Sequence, residues 1–154
     1  MNPFDHLFEG AGDLRPASTS DPHSAFVSDE ARALRGALNV FDVWSKRILM
    51  VCELHLRAEN DEAAADRATP SLSTNHWLLP MLFSELERQA TGASRRTLRA
   101  LQNVKVAKSN VAPFLNPAQR AEQHARAFGD ATARLQEACE RFHDALTEDV
   151  NRRS

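Results

Sequence analysis

The chain has 154 residues, of which 42% are hydrophobic and 26% charged, and its net charge is −2. That length suits one domain with a real core. Its longest apolar stretch, WLLPMLF, is seven residues with a proline inside it; a helical membrane span needs about 20, so no membrane partner is expected.

The hydrophobic residues are of a telling kind: 24 Ala and 17 Leu against one Ile, no Tyr and only five Gly. Alanine and leucine favour helix, whereas β-branched and aromatic residues favour strands. An all-α fold follows: a compact four- or five-helix bundle with two long helices, about 29–59 and 117–150. The acidic start MNPFDHLFEG lacks the cationic region and apolar run of a secretory signal. Cys52 and Cys139 lie far apart within helical patterns, as suits reduced, buried thiols in a cytoplasmic protein.

Residues 1–27 carry Pro3, Pro16 and Pro22 and a polar ASTSDPHS run, and are expected to form an irregular arm. Within it Phe4, Leu7 and Phe8 make a small apolar face that could dock on the body or on a partner. Residues 28–154 are expected to form the bundle domain. Ser28, followed by Asp29 and Glu30, has the form of a helix cap with carboxylates in the first turn. From there Leu34, Leu38, Phe41, Ser45, Ile48, Cys52 and His55 alternate steps of four and three, a heptad-like seam. Val40, Trp44, Val51 and Leu54 widen that face enough to meet two neighbouring helices.

The connector ENDEAAADRATPSLST is polar and acidic. A second helix is expected from about Asn75 to Ala90, with Leu79, Leu82, Phe83 and Leu86 inward and Pro80 in or near its first turn. Thr91-Gly92 ends it. A third helix starts after Ser94 and fades near Asn110. Asn116-Pro117 has the form of a cap with proline at the first helical position. The last seam is Ala125, Phe128, Thr132, Leu135, Cys139, Phe142 and Leu146. It matches the first seam in spacing, which fits either an internal duplication or the common period of amphipathic helices.

Catalytic and metal signatures are weak. Cys52-x-x-His55 and Cys139-x-x-x-His143 supply a zinc donor inventory. Antiparallel packing of the two long helices would hold the pairs at opposite ends, so no metal or cofactor is expected. Glu140-x-x-His143 resembles one element of a di-iron bundle, but no second Glu-x-x-His accompanies it. No phosphate loop, nucleophile elbow or paired catalytic carboxylate stands out. A binding role, not an enzymatic one, is expected.

One stretch is chemically distinctive. Between Glu87 and Glu122 there is no acid, yet seven cations: Arg88, Arg95, Arg96, Arg99, Lys105, Lys108 and Arg120. On a helical wheel Leu98, Leu101, Val104 and Val111 share one face of the third helix, and Arg95, Arg96, Arg99, Gln102 and Asn103 the other. Guanidinium forks suit phosphates, and phosphate contacts supply most sequence-independent affinity for nucleic acid. Arg95 and Arg96 oppose the helix dipole in the first turn, a cost that a bound anion would relieve. Arg88, Lys105 and Lys108 add charge around the stripe. Self-pairing is the competing reading, since residues 1–87 carry 14 acids against seven bases. The acidic connector residues Glu59, Asp61, Glu62 and Asp66 are candidates to fold over the stripe.

In size, helical content and one-sided basic patch, the chain is similar to the small helical subunits of CRISPR effector ribonucleoproteins. The resemblance implies a non-catalytic subunit that contacts an RNA or DNA backbone within a larger protein assembly. The alternative is a helical protein–protein module, an adaptor, immunity protein or inhibitor. It would use the basic face against an acidic partner, or the exposed parts of Trp44, Trp77 and the FDHLF arm.

Overall fold

A computed structural model describes residues 22–58, 75–115 and 125–153. They form four α-helices: α1 (Pro22–Ala58), α2 (Leu78–Gln89), α3 (Arg95–Leu115) and α4 (Ala125–Arg153). A short 3-10 turn, Ala90–Gly92, joins α2 to α3. Among the described residues there is no strand.

The helices run antiparallel to their neighbours in an up-down-up-down order. Phe41 of α1 meets Phe142 of α4 edge-on at 4.7 Å, His143 Nε2 lies 3.5 Å from Asp42 Oδ1, and Arg153 pairs with Glu30. Trp44 packs on Phe83 of α2 at 4.9 Å, while nearer the C-terminus of α1 Arg47 donates to Asn75. α3 lies along α4, with Ser94 at Asp149 and Phe114 stacked on Phe128 at the other end.

The two heptad seams fill the centre. Leu34, Phe41, Ile48 and Cys52 from α1 and Phe128, Leu135, Cys139, Phe142 and Leu146 from α4 are buried in one cluster with Trp44, Phe83 and Leu86. Their aromatic contacts add roughly 0.5–1.5 kcal/mol per pair beyond area burial. Trp44 is 0% exposed, so it is not among the partner surfaces that the protein–protein alternative offered. The indole is the largest side chain of the seam, and Phe41 and Phe83 enclose it on two sides.

Two boundaries and the burial of one residue differ from the sequence reading. α1 starts at Pro22, six residues ahead of the expected Ser28 cap, so residues 22–27 belong to the helix. Proline with its fixed φ is well suited to the first helical turn. Glu30 then lies beyond that turn, where it pairs with Arg153 instead of serving the helix dipole. α3 continues past Asn110 to Leu115 and carries Pro113 inside it. Proline there costs about 3 kcal/mol; buried Val111 and the Phe114–Phe128 stack hold the last turn against that cost. Leu98, expected inward, is 39% exposed, and the small residues Thr97 and Ala107 are buried in α3. The FDHLF arm, the acidic connector, the Asn116-Pro117 start and Arg120 lie outside the described residues.

The two Cys/His pairs are not held wholly at opposite ends: the thiols share the core, near enough for Cys52 to help raise the Cys139 pKa, while the histidines part. Both thiols are free and buried in the central seam. His143 sits beside Asp42, 13 residues from His55 along α1, or about 20 Å at the helical rise.

Candidate nucleic-acid interface

The start of α3 is organised by its own hydrogen bonds. Ser94 Oγ accepts the Thr97 N–H at 3.3 Å, a side-chain cap of the first turn. The Ser94 N–H donates to Asp149 Oδ2 of α4 at 2.8 Å. Burial pushes the Asp149 carboxyl upward. Hydrogen bonds from Thr97 and Ser94 and the charge of Arg153 outweigh burial and hold it below its usual range. The Asp149 carboxylate thus supplies an anion at the backbone end of the first turn of α3.

Several cations of the acid-free window are met by the protein's own groups. Arg88 pairs with Glu85, Lys105 reaches Glu87 at 3.2 Å, and Arg96 reaches Glu148 at 3.1 Å. Lys108 stands over the Phe83 ring at 4.2 Å, and partial burial lowers its pKa. It packs at the α2 junction more than it charges the surface. Glu85 and Glu87 belong to the acids of residues 1–87 on which the self-pairing reading rests, whereas Glu148 comes from α4. Arg95 and Arg99 are exposed and have no ionic partner among the described residues.

Helical rotation divides the stripe. Core residues Thr97, Leu101 and Val104 point one way; Arg96, Arg99, Ala100 and Asn103 fall on the flank toward α4. Lys105 and Lys108 fall on the opposite flank toward α2, and Arg95 and Gln102 lie between the flanks, facing outward.

The α4 flank opens into a groove of about 510 Å³. Its α3 bank is Arg96, Arg99 and Asn103; its α4 bank is Arg134 and Arg141, with Glu137 and Asp144; Ala100, Ala138 and Ala145 complete the lining. Four arginines against two acids leave the groove cationic in a protein of negative net charge. Arg141 pairs with Glu137 one turn away at 2.6 Å, and Arg134 is exposed.

Arg134 and Arg141 were missed by sequence reasoning. They lie outside the acid-free window, on a helix where acids and bases alternate. Their seven-residue spacing places them on one face of α4, the available signal, but only the pairing of α3 with α4 shows which face that is.

No family model, no curated relative and no solved structure matches this chain. The likeness to small CRISPR effector subunits therefore stands on size, helicity and charge alone. Fold likeness of that kind fixes no function, and the groove residues carry the functional argument. No helix among the described residues is long and apolar enough to cross a membrane.

Proposed function

We propose that this chain is a non-catalytic helical subunit that binds a nucleic-acid backbone, RNA or DNA, in the groove between α3 and α4. The observation that carries the reading is the convergence of Arg96 and Arg99 with Arg134 and Arg141 on one groove. Guanidinium groups on two facing helices can bracket a phosphate with forked hydrogen bonds. The Arg96–Glu148 pair does not oppose this, because both side chains are well exposed. Exposed pairs contribute about 0–1 kcal/mol and yield readily to a stronger anion. Arg95 and Gln102 face outward beside the groove, where they extend the contact. Arg88, Lys105 and Lys108, held toward α2, contribute only diffuse charge.

A salt titration of oligonucleotide binding tests the reading, comparing wild type with the Arg95/Arg96/Arg99→Ala triple variant. Binding should weaken steeply with salt and fall by at least about tenfold in the variant. Absence of binding at low salt removes the reading.

One observation favours the protein–protein alternative: Trp77, the residue before α2, and Met81 in its first turn are 60% and 58% exposed. Exposed aromatic and methionine side chains are enriched at protein interfaces. The two surfaces are on different helices, so a subunit of a larger assembly could use both.

A further inference from the structure

Register and helical rotation say more about the ligand than charge does. Ser94 lies at Asp149 and Phe114 at Phe128. With α3 and α4 antiparallel between those points, Arg141 comes level with Gln102 and Arg134 level with Ser109. The four arginines then follow one another along the groove in the order Arg96, Arg99, Arg141, Arg134. They span 13 residues of helix, about 20 Å. On α4, Arg134 and Arg141 adjoin the alanine floor of Ala138 and Ala145, while Asp144 stands one step farther toward solvent. Arg141 and Glu137 are both well exposed and paired, so they stand together at the mouth of the groove, and Asp144 is the most exposed of its acids.

The groove is also narrow. Packed helices stand about 8–10 Å apart, and small side chains such as Ala100 and Ala138 put this pair toward the close end. The four arginines lie along one trough between two packed helices, a line that matches the single backbone of an extended strand and not the two backbones of a duplex. A duplex laid across it meets the highly exposed Asp144 on the outer α4 bank, whose carboxylate repels phosphates. Among the described residues no aromatic side chain lines the groove, so these offer bases no stacking platform and leave them facing outward.

Given the backbone-binding reading, on which this rests, we infer that the α3/α4 groove is a track for single-stranded nucleic acid, gripped along its phosphates by both helices without preference for sequence. Arg134 and Arg141 are then binding residues equal in weight to Arg96 and Arg99.

The test uses fluorescence anisotropy of the full chain at low salt, with labelled oligo-dT, oligo-U and mixed-sequence strands, each also as its duplex. Four proteins are compared: wild type, Arg96/Arg99→Gln, Arg134/Arg141→Gln and the off-groove control Arg57→Gln on α1, with circular dichroism confirming helix content. Single strands should bind at least tenfold tighter than duplexes. Each groove pair should lose roughly tenfold or more in affinity, as expected for charged hydrogen bonds. The control should bind as wild type does, and the three single strands should differ little. Equal binding of duplex and single strand, or an Arg134/Arg141→Gln protein that binds like wild type, overturns the single-strand track while leaving backbone binding by α3 standing. Absence of binding to every probe removes the broader reading as well.

Discussion

The Asp149 carboxylate accepts the backbone N–H of Ser94 at 2.8 Å, so the last turns of α4 hold the first turn of α3. The same end of α4 pairs Arg153 with Glu30 of α1. Three helices are tied together there, and the arginines of the basic stripe begin one residue beyond the tie.

Asp149→Ala removes an almost buried acceptor and leaves the Ser94 N–H without it. The cost should be about 1–3 kcal/mol in urea unfolding, larger than for the exposed Glu53→Ala. The folded carboxyl titrates below its unfolded value. Its contribution is therefore complete above the ordinary carboxylate range near pH 4 and is lost as pH falls through the lowered folded pKa. Wild type should lose more stability than Asp149→Asn on acidification through that window, measured as the change in urea midpoint.

Glu148 accepts from Arg96 at 3.1 Å and from Arg152 at 2.6 Å. Its carboxylate competes with any phosphate for Arg96. Glu148→Gln should tighten oligonucleotide binding a few-fold and change stability by less than about 1 kcal/mol. Weaker binding in this variant would count against a phosphate site at Arg96.

Burial pushes the Cys52 thiol to about 11 and the Cys139 thiol to about 12. Reaction needs the thiolate. At neutral pH an aromatic disulfide reagent should label neither thiol in the native protein and both in denaturant. Rapid labelling of the native protein would contradict the central placement of the two seams.

Trp44 is fully enclosed, and its indole N–H has no hydrogen-bond partner among the described residues. Trp44→Ala should cost about 3–5 kcal/mol through the cavity it leaves. Trp44→Phe should cost much less, because it removes an unmet donor while keeping an aromatic ring against Phe83. Thermal or urea melts of the two variants check the order.

The heptad period made the core legible from sequence: Phe41, Ile48 and Cys52, with Phe128, Leu135 and Phe142, share a face whatever they pack against, and they meet. Boundaries were harder because local signals compete. Ser28 with Asp29 and Glu30 has the form of a cap, yet Pro22 starts the helix; Asn110 resembles an end, yet the Phe114–Phe128 stack carries α3 through Pro113. The candidate site was half legible. Arg96 and Arg99 stood out because no acid lies near them in sequence. Arg134 and Arg141 did not, because Glu137 and Asp144 mask them along the chain and only tertiary pairing sets them opposite α3. The same pairing brings Glu148 to Arg96, a neutralising contact that no local window contains.

The central claim is that arginines from both helices neutralise phosphates of one strand. The most direct test is the slope of log affinity against log salt for a single-stranded oligonucleotide, in wild type and in Arg99/Arg134→Gln, which alters one exposed arginine on each bank. Each phosphate neutralised on a single strand contributes about −0.7 to that slope, so four groove arginines give roughly −3 and the variant roughly −1.4. An unchanged slope in the variant, or no binding by wild type at low salt, would contradict the account.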